Sequence, residues 1–410
     1  MMTENKKYQH AIIETVEDLF TALLYLSFIV FSTNSYGVFY MIGLVTIILF
    51  LHCLSGKFKF SFHVGLFHIY VLLIAIYCLL SGFWAQQSIY AIEKGLTLLE
   101  LLIVFSILYE VYYNSPERLL KCIMWAGFLL SIYTVLYVGI DNLSDTIEDE
   151  GRLENSFANI NAIGMCCSTS VLLVVYFERI KKNILYILFC IPSIIIIAGT
   201  GSRKAFVMLV LGILIILFLQ QSEKKIHISS GEKIFSILSV FIVGCALFYV
   251  ISKTGIFQGT LSRMDGLLAS ITGKGSADSS SIIREYYRVL GFKQFLKTPI
   301  LGMGMGNPRL LALQYTGNDC YLHCNYAEVA AGGGIVGLFF VYWIYFPLWK
   351  TEYRKCKTDR YAAIMLVFII LNLILDYGQV SYYSKSNLFL IMALCVHYES
   401  IRRKKLCKIN

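Results

Sequence analysis

The chain has 410 residues, of which 57% are hydrophobic and only 15% charged, and its mean hydropathy is +0.68. Apolar runs recur that are long enough for a hydrocarbon core of roughly 30 Å, which excludes an ordinary soluble domain. The runs are continuous, as at 194–198 and 206–219, not alternating, which excludes a β-barrel and indicates helices that satisfy their own backbone hydrogen bonds. The expected fold class is all-α, a polytopic integral membrane protein.

In chain order the apolar runs predict about twelve spans, near 19–33, 36–54, 64–83, 92–112, 118–140, 161–178, 183–199, 204–220, 233–252, 325–349, 361–376 and 387–400. They divide the chain into an N-terminal bundle over 1–252, a large extracytoplasmic loop over 253–324, and C-terminal helices over 325–410. Lys6, Lys7, Glu14, Glu17 and Asp18 precede the first run. That order is wrong for a cleaved signal peptide, so the N-terminus is expected to stay. The twelve cysteines are scattered through apolar runs without a CxxC pair, and read as small hydrophobes.

The net charge of +9 raises nucleic acid as a partner. Lys and Arg, however, gather in alternate connectors: Lys57 and Lys59, Arg118 and Lys121, Arg179 to Lys182, Lys224 to Lys233, Lys350 to Arg360, and Arg402 to Lys408. That bias is topogenic, puts both termini in the cytoplasm, and leaves no nucleic-acid partner.

Four outer stretches then stand out. The acidic connector 141–161 reads as a solvated loop, yet it presents Arg152 just before a new span. The hairpin GTGSRK holds Arg203 and Lys204 at the membrane surface, against the positive-inside bias. These cations either snorkel to headgroups or bind phosphate, helped by backbone N–H groups and a following helix N-terminus.

The third stretch is the large loop. Residues 279–296 alternate apolar and basic positions as in an amphipathic helix at the membrane interface, with Arg284, Arg288 and Lys293 open to polar partners; an ordinary surface helix would show the same pattern. GMGMGN lacks the preceding strand of a dinucleotide site and reads as a turn. His323, followed by Asn325 and Glu328, stands where the next span begins. Asp319, Cys320 and Cys324 nearby match no zinc spacing, so no metal is expected. The fourth stretch, DYGQVSYYSKSN, fits either a sugar site or an interfacial aromatic belt.

Arg152 in GRLENSFANINAIG, Arg203 in GTGSRKAF, Arg284 ahead of TPILGMGMGN and His323 in HCNYAEVAAGGGIVG together resemble the bacterial O-antigen polymerase and O-antigen ligase family. The resemblance runs over residues 80–350 and includes WAQQS from Trp84. Many members have His and Asn adjacent; here Cys324 separates them.

The resemblance implies a membrane glycosyltransferase of the GT-C type, without cofactor or metal, in the bacterial plasma (inner) membrane with its active site extracytoplasmic. Such enzymes move a glycan from an undecaprenyl pyrophosphate carrier to an acceptor hydroxyl. On that basis Arg152, Arg203, Lys204 and Arg284 bind the pyrophosphate, since arginine donates bidentately and stays charged. His323 is the base and, with Arg284, the catalytic pair; a histidine titrates near neutrality. Asn325, Glu328 and Arg288 support the site or meet the acceptor.

The wording of GSRKAF and HCNYAEVAAGGGIVG favours a repeat-unit polymerase. A ligase acting on lipid A core or another terminal acceptor is the alternative, and a lipid-linked oligosaccharide flippase or transporter a further one. Transporters carry ionisable residues at mid-membrane, whereas here cations collect at the outer edge. Expected partners are the lipid-linked oligosaccharide, the bilayer, and assembly proteins such as a chain-length regulator and a flippase.

Overall fold

A computed structural model describes residues 4–31, 37–55, 63–148, 153, 157–181, 188–221, 257–272 and 279–406. The span expected at 233–252 lies outside them, as do Arg152 and the connector lysines Lys57, Lys59, Lys224, Lys225 and Lys233. Among the described residues the structure is helical throughout, with no strand.

The helices are α1 (Glu4–Val30), α2 (Gly37–Leu54), α3 (Leu66–Ser81), α4 (Ser88–Tyr112), α5 (Pro116–Val138), α6 (Ile140–Glu148), α7 (Ile160–Lys181), α8 (Cys190–Thr200), α9 (Arg203–Gln221), α10 (Gln258–Thr272), α11 (Ser279–Lys297), α12 (Arg309–Thr316), α13 (Asn325–Tyr342), α14 (Tyr345–Lys355), α15 (Arg360–Leu375) and α16 (Lys385–Leu406). Four stretches among the described residues are long and apolar enough to cross a membrane: Gly37–Leu54, Pro116–Val138, Ile160–Phe177 and Asn325–Lys355. Three further apolar helices, Leu66–Ser81, Cys190–Thr200 and Tyr361–Leu375, are shorter. Lipid as solvent accounts for large apolar side chains on the outside of the last long stretch, where Ile335, Phe339 and Phe346 are 60%, 64% and 72% exposed.

The chain forms two compact units, each assembled from separated segments. The first comprises Met1–Gly56, Glu117–Gly275 and Glu352–Leu371. Within it α1 packs on α2, and α7 packs on both α8 and α9. A buried ion network ties α1, α2 and α5 together. Arg118 donates to Glu17 at 2.8 Å and to Asp18 at 2.8 Å, and His52 Nδ1 meets the other oxygen of Glu17 at 3.0 Å. The buried carboxylate of Glu17 thereby keeps charged or polar partners on both oxygens, which burial demands.

The second unit comprises Lys57–Pro116, Ser276–Thr351 and Asn372–Asn410. Here α3 packs on α4, α11 on α13, and α16 on both α3 and α4. The span expected to run unbroken over 325–349 is interrupted at Gly334 (φ 61°, ψ −157°). A broken helix exposes N–H and C=O groups that need partners, and the GMGMGN turn supplies them. Ile335 N–H donates to Pro299 C=O at 2.8 Å and Val336 N–H to Ile300 C=O at 3.3 Å. In return Met303 N–H donates to Ala331 C=O and Gly304 N–H to Gly332 C=O, both at 2.9 Å.

The two glycine runs thus form a seam of main chain against main chain. A Cβ on Gly302 would lie 2.4 Å from the Gly332 carbonyl carbon, and one on Gly334 would lie 2.3 Å from the Ile300 oxygen. The WAQQS stretch caps the seam: Trp84 Nε1 donates to Leu301 C=O at 3.3 Å, and Asn307 exchanges two hydrogen bonds with the Gln87 backbone at 2.8 and 3.1 Å.

Two glycine variants separate seam packing from simple backbone strain. Gly302→Ala meets backbone as well as an unfavourable φ and should cost on the order of 3 kcal/mol or more. Gly317 also has a positive φ but open space around it, so Gly317→Ala should cost about 1 kcal/mol. Thermal unfolding of the detergent-purified proteins checks the difference; equal losses would mean that the seam is not tightly packed.

Candidate functional site

His323 lies just before α13 and has φ 57°, the one positive φ outside glycine among the described residues. That conformation costs a non-glycine residue about 1–2 kcal/mol, so its neighbours must impose it. Leu322 and Cys324, on either side, are buried in a cluster with Tyr287, Leu290, Leu311 and Ala327. Leu322 N–H also donates to the buried Glu328 carboxylate at 2.8 Å. Pinned at both sides, the chain turns the half-buried imidazole between two aromatic rings. Tyr321 is 4.4 Å away and Tyr287 stacks at 6.1 Å. Strain held at a polar side chain is the pattern of a working site.

Arg284 and Arg288 come from α11, as the period of 279–296 predicts. The face carrying Ile282, Tyr286, Val289 and Leu296 is exposed, while Tyr287 and Leu290 face inward. Arg288 differs from expectation: it is 8% exposed, ion-paired with Glu285, and its guanidinium lies 4.4 Å over the Tyr377 ring. Its planar cation is shared between a carboxylate and a π face rather than left open to polar partners. Arg284 is half-buried and acts on the Tyr321 hydroxyl. Although Tyr321 is 37% exposed overall, desolvation raises its pKa; Arg284 opposes that shift and Cys320 and Glu328 add to it. The field at Tyr321 therefore links Arg284, Glu328 and the His323 loop.

Asn325 is fully buried and internally committed. Its Nδ2 donates to Tyr342 Oη at 2.8 Å and Asp376 Oδ2 at 3.1 Å, and its Oδ1 accepts from Ser381 N–H at 3.0 Å and Tyr382 N–H at 3.3 Å. All four positions of the amide are used, so Asn325 shapes the site without reaching a ligand. Tyr342 Oη donates to the same Asp376 oxygen at 2.9 Å. Burial pushes the Asp376 carboxyl up to about 6, against hydrogen bonds from Ser381, Tyr342 and Asn325 that hold it down.

On another side of Glu328, Arg309 opens α12 and is ion-paired with Asp319 through Nε and Nη2. This partner lowers the Asp319 carboxyl and raises the Arg309 guanidinium. Asp319, weighed in the sequence as a metal ligand, is therefore engaged by arginine, and Cys320 Sγ contacts Tyr287 Oη at 3.5 Å. Among the described residues no three His, Cys, Asp or Glu gather as a metal centre.

In the first unit, α8 ends at Thr200, capped by Gly201, and α9 begins at Arg203, so GTGSRK is the short hairpin the sequence predicts. Arg203 and Lys204 occupy the first turn of α9, where the helix dipole favours an anion, not a cation. Arg203 Nη1 donates to Arg263 C=O at 2.9 Å. Ser202 Oγ donates to Asn161 Oδ1 at 3.0 Å, and Leu153 N–H to Gly199 C=O at 3.0 Å. Residues of the acidic connector thus bind the hairpin directly.

Residues 187–342 match the family model described as O-antigen ligase. The match supports the O-antigen ligase and polymerase family. The matched stretch contains Arg203, Lys204, Arg284, Arg288, His323, Asn325 and Glu328; Arg152 and the WAQQS stretch fall outside it. A comparison with curated proteins found no match. Sequence reasoning passed over Lys94 and Arg309 as site residues, and included Asp376 only as the first residue of the DYGQVSYYSKSN stretch weighed as a sugar site. Arg309 carried a signal nonetheless, because a cation directly after Pro308 opens a helix at the wrong pole of its dipole.

The Asp376 hydrogen bonds predict a pH effect of defined sign. The folded carboxyl binds its proton more tightly than the unfolded chain, whose value is near 3.8. Stability should therefore fall as pH rises from about 4 through about 6 and level off above. Asp376→Asn keeps an acceptor for Asn325 and Tyr342 and should flatten this part of the profile. Asp376→Ala removes it and should cost about 2 kcal/mol. Unfolding midpoints from pH 4 to 7 check both.

Proposed function

We propose that this protein is a polysaccharide repeat-unit polymerase, transferring a glycan from an undecaprenyl pyrophosphate donor to the non-reducing end of a lipid-linked acceptor. The observation that carries the reading is the strained His323, whose ring packs on Tyr321 while Arg284 acts on the Tyr321 hydroxyl, in a stretch that matches the O-antigen ligase model. In the proposed reaction the acceptor hydroxyl oxygen attacks the anomeric carbon with inversion. The bond from that carbon to the pyrophosphate oxygen breaks, and the carrier pyrophosphate leaves with the electron pair. The hydroxyl proton passes to the His323 imidazole.

Charge builds on the leaving pyrophosphate, and Arg284 stabilises it. Arg203 and Lys204 are assigned to pyrophosphate binding as well, aided by the helix N-terminus they occupy, and so is Arg152. The Leu153 hydrogen bond to Gly199 supports that last assignment, since it fastens the residue next to Arg152 beside the hairpin. Glu328 and Asn325 position His323, and Arg288 braces α11. The proposed setting is the inner membrane, with about twelve spans, both termini cytoplasmic and the site outside.

A ligase passing polymer to lipid A core is the second reading, favoured by the description of the matched model. It uses the same donor chemistry and differs in the acceptor.

Arg152→Ala, Arg203→Ala and Arg284→Ala should each lose polymer by roughly 100-fold or more while still inserting in the membrane; full polymer from all three would sink the pyrophosphate assignment. His323→Ala should lose about 10²- to 10⁴-fold, and robust activity in it would remove the base. Reconstitution with purified lipid-linked repeat units distinguishes the readings. Chain extension with carrier release marks the polymerase, transfer only to lipid A core the ligase, and movement without chemistry a flippase.

A further inference from the structure

The glycine seam has a second effect within its unit. Gly306 packs so closely on α4 that a Cβ there would sit 2.8 Å from Tyr90 C=O and 3.2 Å from Lys94 Cγ. That approach brings the Tyr90 to Lys94 turn against the start of α12. Arg309 lies with its guanidinium carbon 4.5 Å over the Tyr90 ring. Lys94 Nζ lies 3.7 Å over the Tyr383 ring, and Lys94 interacts electrostatically with both Glu328 and Arg309. Tyr383 in turn senses Glu328, Tyr321 and Arg309. Five elements thus bring two cations, a buried carboxylate and three tyrosines to one place, and Tyr321 joins that place to His323.

Two features separate this cluster from ordinary packing. The Lys94 ammonium carries three donors and, among the described residues, makes no hydrogen bond or ion pair with the protein. Arg309 spends Nε and Nη2 on Asp319, and its Nη1 makes no hydrogen bond with the protein among the described residues. Tyr90, Lys94, Arg309 and Tyr383 are all half-buried, so the uncommitted donors are within reach of a ligand. An ionisable residue inside an apolar helix, with donors to spare, is a functional feature by default. Aromatic walls with a few convergent polar groups describe a site for a ligand that has both an apolar face and many oxygens. A sugar ring is such a ligand: its C–H face lies on tyrosine, and its oxygens accept from lysine and arginine.

We propose that Tyr90, Lys94, Arg309, Tyr321 and Tyr383 form the subsite for a sugar ring of the acceptor glycan, beside His323. The inference rests on the glycosyltransferase reading and adds to it the residues that select the acceptor. Lys94 and Arg309 donate to ring oxygens, Tyr383 and Tyr321 form the walls, and Asp319 keeps Arg309 oriented. The hydroxyl that reacts is thereby presented to the imidazole.

The probe is a lipid-free oligosaccharide of one or two repeat units, cut from the source cell's own surface polysaccharide. Its binding to the full-length protein in detergent is measured by calorimetry, alongside transfer from lipid-linked repeat units. Wild type should bind. Lys94→Met, which keeps the aliphatic stem and loses the donors, should bind at least tenfold more weakly, as should Tyr383→Ala. Tyr383→Phe keeps the ring and should bind within about threefold of wild type, and an unchanged melting temperature in Lys94→Met shows that the fold survives. Arg203→Ala should lose transfer yet bind the lipid-free probe normally, because the probe has no pyrophosphate. No binding by wild type, or undiminished binding by Lys94→Met, overturns the subsite. Lys94-dependent binding with no transfer by wild type upholds the subsite and overturns the glycosyltransferase reading instead.

Discussion

In the second unit everything near His323 depends on a contact that contains no side chains. Between Pro299 and Gly304 the main chain enters the gap left where α13 breaks at Gly334, and the two segments exchange four hydrogen bonds. Within hydrocarbon or protein, a helix cannot break without partners for the freed groups, so hairpin and break require one another. From this seam the other positions follow. α13 starts where Glu328 can hold Leu322, α12 starts where Arg309 meets Tyr90, and Trp84 and Asn307 fix the entry of α4. The glycine-rich stretches of such a chain look like weak nucleotide motifs, yet their physical role is close approach of backbone to backbone.

Electrostatics gives the second organising constraint. Arg203, Lys204 and Arg309 all stand at helix N-termini, where the macrodipole works against a cation. Each arginine finds a partial remedy within the protein, Arg263 C=O for Arg203 and Asp319 for Arg309. At Arg309, ligand oxygens at Nη1 would complete it. Buried carboxylates act differently: Glu328 and Asp376 hold backbone and amide groups in position, and neither faces an arginine at hydrogen-bonding distance among the described residues.

What was legible in the sequence was what local pattern controls. Continuous apolar runs foretold helices such as α2, α5 and α7, and the period of 279–296 foretold α11, with its exposed Ile282 and buried Leu290. The GTGSRK hairpin was legible because two glycines and two cations between apolar runs can only be a tight turn at the membrane edge. The break at Gly334 was not, because AAGGGIVG is as apolar as the span around it and its partner lies some thirty residues upstream. Lys94 read as an ordinary member of a span; only the fold sets Tyr383 beneath it. Asn325 shows the converse. Its motif marked it as part of the site, but the four partners that use up its amide include residues more than fifty positions away, a distance over which sequence period says nothing.

The loop between Gly317 and Cys324 hangs from two fixed ends, α12 on one side and the start of α13 on the other. The anchors of the bend are Leu322 and Cys324; Asp319 ties the loop to Arg309 of α12 and the Tyr321 ring packs on the imidazole, while the exposed Asn318 side chain holds neither end. Asn318 can therefore change without disturbing the scaffold that bends His323, whereas a change at Asp319 or Tyr321 reaches Arg309 or the imidazole directly. A frame held by main chain and buried side chains is thus separate from the exposed turn at Gly317 and Asn318, and the two can vary independently.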